Sequence, residues 1–387
     1  MSRPIEGDAP SVEVKGWTAA GYEGVREAFA ANLRIGEDLG AAVCVYRHGE
    51  CMVDLWGGVM TRDGDAYPED ALEVVFSSTK GLTALCLASL VESGEIELDT
   101  PVSQYWPEFA RAGKQEITVR TVAAHQAGLP AFELPTSMAE LADWPLCVRR
   151  LSEQRPLWEP GRWHGYHALT VGYLLGEVVR RATGQSVGAV LRERFARPLG
   201  LDAWIGLPEA LGARVVPLEE VVPSAGEGAI LSDAEQDPAT FTGRAFTNPL
   251  INTANFDQSL AYTAEIPAVA GVTDARSLAR AYAALVDGPL RRIGVPVVDE
   301  MGRMVADGPD LVLIDQPTRF GTGFMLSSPR EPMLGRGSLG HNGRGGSLGF
   351  AHPESGVSYG FVANRMVLAP GPDRRNTRLI AAVRDAL

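Results

Sequence analysis

Apolar positions recur at helical spacing near the start of the chain and at strand spacing just after it. In the stretch YEGVREAFAANLRI, the apolar residues Val25, Phe29 and Leu33 are four positions apart, which predicts an amphipathic helix. The next stretch, GAAVCVYRHGECMVDLWGG, contains two apolar runs that are separated by His48 and Gly49. A short turn between two such runs is typical of a β-hairpin, so we predict one here.

The middle of the chain is predicted to be mainly helical. KGLTALCLASLVESGEIELD places Leu82, Leu85 and Leu90 on or near one helix face, and further helical patterns follow. These further patterns are ITVRTVAAHQAGLP, YHALTVGYLLGEVVRRATG, SVGAVLRERFARPLG and DARSLARAYAALVDG. Residues from about 205 to 265 are rich in proline, glycine and acidic side chains, which predicts a mostly irregular segment.

Strand patterns return near the C-terminus, in FGTGFMLSS, GGSLGFAHP and VSYGFVANRM, and the helical pattern NTRLIAAVRDAL ends the chain. Strands at both ends and helices between them predict an α+β fold rather than a regular alternation of strands and helices. We expect an antiparallel sheet that is built from both termini and flanked by the terminal helices. Residues 1–100 and 265–387 are predicted to form this α/β subdomain and residues 101–264 a mainly helical one, with the active site in the cleft between them.

Composition narrows the classes of function. The chain of 387 residues has a net charge of −13 and no cluster of lysine and arginine, which argues against nucleic acid and anionic membranes as partners. The first residues, MSRPIEGDAP, lack the basic and apolar regions of a signal peptide, and no apolar run is long enough to span a membrane. We therefore expect a cytoplasmic protein, in which Cys44, Cys51, Cys86 and Cys147 are small apolar residues rather than disulfide partners.

Two serine motifs compete for the role of nucleophile. Residues 345–349, GGSLG, match the G-x-S-x-G motif, which in esterases places the serine on a turn between a strand and a helix. After Ser347, however, the pattern is two strands joined by the turn PESG, so no helix is predicted there. With 43 glycines in the chain the motif arises easily by chance, and its glycines are expected to allow close backbone approach. We therefore predict that Ser347 is not the nucleophile.

The second motif, Ser77-Ser78-Thr79-Lys80, has the S-x-x-K pattern and begins a predicted helix. Residues three apart on a helix share a face, so Ser77 and Lys80 can exchange a proton, whereas Ser78 points elsewhere. Burial disfavours the ammonium form of lysine, and a neutral Lys80 can accept the proton of a serine nucleophile. The alternative is a helix start with a capping serine and an ordinary surface lysine.

Several segments together resemble the serine β-lactamase and penicillin-binding-protein superfamily. They are FSSTKGLTALCLASLVESGEIELDTPVSQYWPEF, VAAHQAGLPAF, EPGRWHGYHALTVGYLLGEVVRRATGQS and GHNGRGGSLGFAHPESGVSYGFVANRM. The likeness runs from about residue 20 to about residue 370 and is greatest to class C β-lactamase-type carboxylesterases, the family VIII esterases, and to related acyltransferases. The resemblance implies a β-lactamase/transpeptidase-like fold with an inserted, mainly helical lobe.

The resemblance also implies roles for three side chains. Ser77 would be the acylated nucleophile, and Lys80 would be its proton-accepting partner. Tyr166, in GYHALT, would act with Lys80 as the general base and pass the proton to the leaving group. A core tyrosine that caps the following helix is the alternative for Tyr166.

Further positions are expected to contact the substrate, and the resemblance implies four of them. His341-Asn342-Gly343 stands where β-lactamases have K-T-G, on the strand at the edge of the active site. The backbone N–H groups of Ser77 and Arg344 would then form the oxyanion hole. Trp163, in a tryptophan-rich part of the helical lobe, is predicted to line an acyl pocket, with buried packing as the alternative.

Two departures from the β-lactamase pattern bear on the substrate. His341 replaces the permanently charged lysine of K-T-G, and Ala168 replaces the asparagine of Y-x-N. Both changes favour a neutral ester or thioester over a β-lactam. We therefore predict a serine carboxylesterase that acts on a small-molecule ester or thioester and needs no metal or cofactor.

Other functions remain open at this point. The same acyl-enzyme could serve an acyltransferase of natural-product biosynthesis, either a transacylase or a peptide-releasing or cyclising enzyme. A weak β-lactamase or DD-peptidase and a non-catalytic binding protein are further alternatives. Which nucleophile reaches the acyl group decides between hydrolysis and transfer, and sequence patterns do not report this.

Overall fold

A nine-stranded antiparallel sheet forms the centre of the computed structural model, which describes residues 13–62, 64–221, 237–250, 262–367 and 372–387. In chain order the strands are β1 Val14–Thr18, β2 Gly40–Arg47, β3 Glu50–Gly58, β4 Glu73–Val74, β5 Ala203–Ile205, β6 Glu219–Val221, β7 Gly271–Thr273, β8 Ala306–Pro309, β9 Pro317–Phe320, β10 Met325–Leu326, β11 Leu339–Asn342, β12 Leu348–His352, β13 Val357–Ala363 and β14 Arg365–Val367. The strands of the central sheet lie in the order β1-β3-β2-β13-β12-β11-β10-β9-β8. Two smaller sheets, β4-β7-β5 and β14-β6, complete the strand pairing of the described residues.

Helices account for most of the remaining regular structure. The α-helices are α1 Glu23–Arg34, α2 Ser78–Glu92, α3 Val102–Tyr105, α4 Val119–Ala123, α5 Met138–Leu141, α6 Trp144–Glu153, α7 Thr170–Thr183, α8 Val187–Leu191, α9 Arg197–Leu199, α10 Phe241–Thr247, α11 Ala275–Tyr282, α12 Val295–Gly302 and α13 Arg374–Asp385. Short 3₁₀ segments occur at Pro107–Gly113, Glu209–Arg214, Ala283–Leu285 and Pro353–Ser355, and a π-helical turn at Arg192–Ala196 joins α8 to α9. In the described ranges, none of the helices combines the length and the apolar character needed to cross a membrane.

Both ends of the chain contribute strands to the central sheet. The predicted hairpin forms between β2 and β3, and β2 also pairs with β13, so that Val43 lies opposite Phe361. The predicted α+β fold class, with an antiparallel sheet built from both termini, is therefore confirmed. Strand β1 was not predicted, because it is an edge strand with mostly exposed side chains and its sequence shows no apolar alternation.

Helices cover the two faces of the sheet. On β13, the Tyr359 hydroxyl donates to Asn376 Oδ1 of α13 at 2.8 Å. The neighbouring Gly360 points the other way, where an added Cβ would lie 2.4 Å from the Ala275 carbonyl oxygen of α11. Because successive strand residues face opposite sides, α13 and its partner α1 cover one face, and α11 covers the other with α2 beside it.

Helix α2 lies in the interior of the protein and is buried on nearly every side. All residues from Ser78 to Leu90 are buried, including Thr79 and Lys80. The predicted helix is present, and Leu82, Leu85 and Leu90 are buried together with the residues on its other sides, because other elements pack around the whole helix. A helix that is apolar all round is typical of a fully buried position.

Between Val102 and Thr247, the described residues form eight α-helices, α3 to α10. The strands in this described part are the short β5 and β6. We propose that it forms the helical subdomain expected for residues 101–264. The stretch predicted to be irregular, residues 205–265, contains the 3₁₀ segment Glu209–Arg214 and helix α10 in its described part. The rest of that prediction falls on residues 222–236 and 251–261, which lie outside the described residues.

A buried ion-pair network ties α13 to the sheet. The Arg375 side chain is almost completely buried and contacts Asp38 Oδ1 at 3.1 Å and Asp373 Oδ2 at 2.6 Å. It also donates to the carbonyl oxygens of Gly345 and Arg365. Burial raises the pKa of Asp38 to about 6, although the Arg375 charge acts in the opposite direction.

Replacing Arg375 with methionine should destabilise the fold by ~3–5 kcal/mol, because buried carboxylates lose their partner. The exposed neighbour Arg374 offers a matched control, and Arg374→Met should change the free energy of unfolding by less than ~0.5 kcal/mol. Urea unfolding monitored by tryptophan fluorescence measures both values. Equal effects of the two substitutions would show that the network contributes little to stability.

Candidate active site

Ser77 lies at the N-terminal end of the buried helix α2. The segment before it is held by a backbone hydrogen bond from Val75 N–H to the Gly271 carbonyl oxygen of β7, at 2.9 Å. Phe76 then adopts a left-handed conformation with φ of 43°, which is unusual for a bulky residue and marks a sharp turn into the helix. Ser77 occupies the N-cap position, but its side chain accepts no capping hydrogen bond, so the hydroxyl is directed to other partners.

The main partner of the Ser77 hydroxyl is Lys80. Lys80 Nζ lies 3.1 Å from Ser77 Oγ, one helical turn along α2. Nζ also lies 2.7 Å from the Ala168 carbonyl oxygen and 3.0 Å from the Ala268 carbonyl oxygen. Burial lowers the pKa of Lys80 well below its usual value, since the ammonium form is deprived of water. The lysine is therefore buried in the described structure rather than on the surface.

Tyr166 brings a third functional group to the same place from the helical part of the chain. Its side chain is buried, and Lys80 Nζ lies 4.7 Å from the centre of its ring. Burial raises the pKa of Tyr166, while a hydrogen bond between its hydroxyl and Ser77 acts in the opposite direction. The structure thus brings together the three side chains for which the sequence predicted catalytic roles.

Asp310 holds the backbone of Tyr166 in place, and sequence reasoning missed it. The Asp310 carboxylate is completely buried, and its Oδ1 accepts the Tyr166 N–H at 3.0 Å. The same oxygen accepts the N–H groups of Val312 and Leu313, and Oδ2 accepts the Thr318 hydroxyl at 3.0 Å. The only local signal for this role was an acidic residue directly before the apolar run LVLI.

Aromatic rings surround Tyr166 and shape the site. Phe320 and Phe246 are nearly parallel to the tyrosine ring, with centroids 6.4 Å and 6.5 Å away. His125 lies 5.1 Å from it, and His125 Nδ1 accepts the backbone N–H of His167 at 3.0 Å. The two histidines therefore contribute to the framework around the tyrosine, and Phe246 comes from a segment predicted to be irregular.

His341 lies on β11 next to Tyr166, with ring centroids 6.0 Å apart. Its Nδ1 lies 2.7 Å from the Asn342 carbonyl oxygen, which assigns the proton to Nδ1 and leaves Nε2 as an acceptor. Burial lowers the pKa of His341 to about 3. His341 is consequently neutral near pH 7, and it cannot donate a hydrogen bond from Nε2 to a substrate carbonyl.

Asn342 and Gly343 continue the same strand into the turn before β12. The Asn342 amide donates to Glu331 Oε2 at 2.5 Å, and burial raises the pKa of Glu331 to about 7. The Gly343 N–H donates to the Ser347 carbonyl oxygen at 2.7 Å, so this N–H is already used within the turn. Arg344 follows directly in the turn, and the oxyanion role of its N–H group stays a prediction.

Trp163 lies at the surface rather than among the buried groups. Its side chain is 51% exposed, and the Arg162 guanidinium lies 5.9 Å from its ring centre. The next residue, His164, is buried and contacts Thr318 Oγ1 at 2.9 Å. Contact between Trp163 and an acyl group stays a prediction.

Ser347, the serine of the G-x-S-x-G motif, lies in the turn between β11 and β12 and is followed by a strand, not by a helix. Its side chain is buried, and its hydroxyl donates to the Val75 carbonyl oxygen at 2.8 Å. This is not the exposed turn between a strand and a helix that the esterase motif requires. Gly349 of the motif faces Tyr282, where an added Cβ would lie 2.5 Å from the ring.

The fold and these groups define a β-lactamase-like protein with an S-x-x-K helix at its centre. A protein-family model described as Beta-lactamase matches residues 25–384, and the chain belongs to this family. Among the described residues, no group of three or more His, Cys, Asp or Glu side chains is arranged to hold a metal ion.

Individual relatives resemble the chain over most of its length. Esterase/beta-lactamase LipL of Mycobacterium tuberculosis (strain ATCC 25618 / H37Rv) is 35% identical over 344 residues, which cover 85% of this chain and 77% of that protein. The crystal structure of a family VIII carboxylesterase has a TM-score of 0.88 and 34% identity, covering 97% of this chain and 100% of its own. A penicillin-binding protein homolog from Caulobacter crescentus has a TM-score of 0.86 and 36% identity, with the same coverage of both chains.

Proposed function

We propose that this protein is a serine esterase that cleaves neutral carboxylic esters through an acyl-enzyme on Ser77. The observation that carries the proposal is the 3.1 Å contact between Ser77 Oγ and Lys80 Nζ inside a buried site. Two of the relatives are named as esterases, LipL and the family VIII carboxylesterase, and they support the same class of reaction.

Lys80 acts as the base that activates Ser77. A neutral amine has two N–H groups and one lone pair. The carbonyl oxygens of Ala168 and Ala268 accept the two N–H groups, and the lone pair is then directed at the Ser77 hydroxyl. As Ser77 Oγ bonds to the ester carbonyl carbon, its proton passes to Lys80 Nζ.

The tetrahedral intermediate carries a negative oxygen, for which we assign the backbone N–H groups of Ser77 and Arg344 as donors. Its collapse breaks the bond to the leaving alkoxide, which takes a proton that Tyr166 relays from Lys80. Burial raises the pKa of Tyr166, so its hydroxyl remains protonated and able to donate. Water then attacks the acyl carbon, transfers a proton through the same groups, and releases the carboxylic acid and free Ser77.

The proposed preference for neutral substrates rests on His341. In the proposed site this histidine takes the place of a permanent cation, and its pKa of about 3 keeps it uncharged at working pH. A β-lactam carboxylate therefore forms no ion pair at this position. The binding of an uncharged ester does not depend on such an ion pair. The neutral ring next to Tyr166 is thus better matched to an ester than to an anionic β-lactam.

We expect kcat/KM for p-nitrophenyl butyrate to exceed that for nitrocefin, a chromogenic β-lactam, by about 10²-fold or more. Both reactions are followed by absorbance at one pH and one enzyme concentration, with Ser77→Ala as the blank for each. Comparable values for the two compounds would contradict the assignment of an esterase. Turnover of neither compound, with no burst of p-nitrophenol, would favour a non-catalytic protein.

A further inference from the structure

The Ser347 side chain connects two segments that meet at the proposed oxyanion hole. Its hydroxyl donates to the Val75 carbonyl oxygen at 2.8 Å, two residues before Ser77. Its Oγ also lies 3.0 Å from Ser78 Oγ, one residue after Ser77. Ser347 itself belongs to the turn between β11 and β12, and the same turn contains Arg344.

Each of the two hydroxyl protons, one on Ser347 and one on Ser78, has an acceptor. The Ser347 proton is used on Val75, so Ser347 Oγ accepts from Ser78. The Ser78 proton lies between Ser347 Oγ at 3.0 Å and the His341 carbonyl oxygen at 3.2 Å. Ser78, His341 and Ser347 are all buried, so water does not compete for these hydrogen bonds. Two hydroxyl groups therefore fix the turn to the segment on both sides of Ser77.

Gly343 shows how closely the turn approaches that segment. A Cβ at this position would lie 2.2 Å from the Val75 carbonyl oxygen and 2.2 Å from Ser347 Oγ, so a larger residue would push the turn away. The opposite side of the turn is held by α13, where Asn376 Nδ2 donates to the Gly346 carbonyl oxygen at 2.7 Å. Arg344 lies between these two anchored sides.

We propose that Ser347 is a positioning residue, which sets the distance between the two oxyanion donors, the N–H groups of Ser77 and Arg344. This inference rests on the proposed function, because it assigns a task only if the Ser77 acyl-enzyme forms. Hydrogen-bond donors stabilise an oxyanion strongly only when they are held at the position where the charge develops. The serine of the G-x-S-x-G motif thus supports the nucleophile of the other motif without reacting itself.

The test compares Ser347→Ala with Ser358→Ala. Ser358 is a buried serine on β13 of the same sheet and contacts neither Ser77 nor the β11–β12 turn in the hydrogen bonds of the described residues, so it controls for loss of a buried hydroxyl. Active sites are counted by titration with a p-nitrophenyl phosphonate, and kcat and KM for p-nitrophenyl butyrate are expressed per active site. The inhibition constant of phenylboronic acid, which forms a tetrahedral adduct with serine, reports on the oxyanion hole.

Ser347→Ala should lower kcat by about 10- to 100-fold and raise the inhibition constant of phenylboronic acid by a similar factor. KM should change by less than about twofold. Ser358→Ala should leave all three values unchanged. Should Ser347→Ala fail to fold, Ser78→Ala removes the other hydroxyl of the same contact and is expected to shift kcat in the same direction. A purely structural role would lower thermal stability and the number of active sites but not kcat per active site, and that outcome would overturn the proposal.

Failure of this inference is distinguishable from failure of the proposed function. If Ser347→Ala matches the wild type in kcat and in boronic acid inhibition while Ser77→Ala is inactive, only the positioning role is wrong. If Ser77→Ala is active, the acyl-enzyme assignment itself is wrong.

Discussion

Ser77→Ala is expected to lower kcat/KM for p-nitrophenyl butyrate by about 10⁴-fold or more, because removal of a nucleophile abolishes the covalent route. The Ser77 hydroxyl is the group that Lys80 Nζ contacts at 3.1 Å, and alanine provides no replacement. Initial rates at saturating and subsaturating ester measure the effect. The loss should appear mainly in kcat, since the substitution removes only one oxygen atom and leaves the other side chains of the site in place.

The matched controls separate this effect from loss of a buried hydroxyl. Ser358→Ala should retain wild-type activity, and Ser347→Ala should retain about 1–10% of kcat. Circular dichroism and thermal unfolding should show that Ser77→Ala is folded. A Ser77→Ala enzyme with activity within about tenfold of the wild type would rule out Ser77 as the nucleophile.

Lys80→Met is expected to lower kcat by about 10³-fold, because the proposed mechanism has no other base in contact with Ser77. Lys114→Met is the matched control. Lys114 is also buried, and its Nζ donates to the carbonyl oxygens of Ser152 and Gln154 at 3.1 Å and 2.6 Å. No hydrogen bond among the described residues connects Lys114 with Ser77. Its replacement should reduce thermal stability but leave kcat within about twofold of the wild type.

The pH profile provides an independent readout of Lys80. The protonated amine cannot accept a proton, so kcat/KM should rise with pH through the Lys80 pKa and then level off. Burial lowers this pKa well below the usual value, so the plateau should be reached well below pH 10.5. Lys80→Met should abolish this rising limb. A profile that falls as pH increases from acidic to neutral values would contradict the assignment of a neutral base.

Local sequence patterns were sufficient for much of the fold. Helix α1 and the β2–β3 hairpin repeat their apolar residues at fixed intervals within a short stretch, so each was predictable without knowledge of its neighbours. The S-x-x-K contact was predictable for the same reason, because a helix places Ser77 and Lys80 on one face. Edge strand β1 was not, since its exposed side chains leave no alternation.

Contacts between residues that are far apart in sequence could not be predicted from local patterns. Asp310 holds Tyr166 across 144 positions in sequence, and Arg375 contacts Asp38 across 337 positions. No local periodicity reports such pairs, which form only when the β8–β9 segment and α13 take their places in the fold. Similarly, Phe246 reaches Tyr166 from a segment whose proline and glycine content indicated irregular structure. Long-range packing overrides local composition there.

The G-x-S-x-G motif illustrates the limit of reading a motif without its context. The prediction that Ser347 is not the nucleophile followed from the strands around it, and the structure places it in a turn between two strands. Its contacts to Val75 and Ser78 could not be inferred from sequence, because they join residues more than 260 positions apart. The proposed positioning role therefore comes from the structure alone.

The most direct test of the account is the intact mass of the protein after brief mixing with p-nitrophenyl butyrate and acid quenching. The wild type should gain the mass of one butyryl group, Ser77→Ala should gain none, and Ser347→Ala should still gain it, although more slowly. This result would establish the acyl-enzyme on Ser77. An adduct that persists in Ser77→Ala, or that disappears only in Ser347→Ala, would contradict the central claim and assign the nucleophile elsewhere.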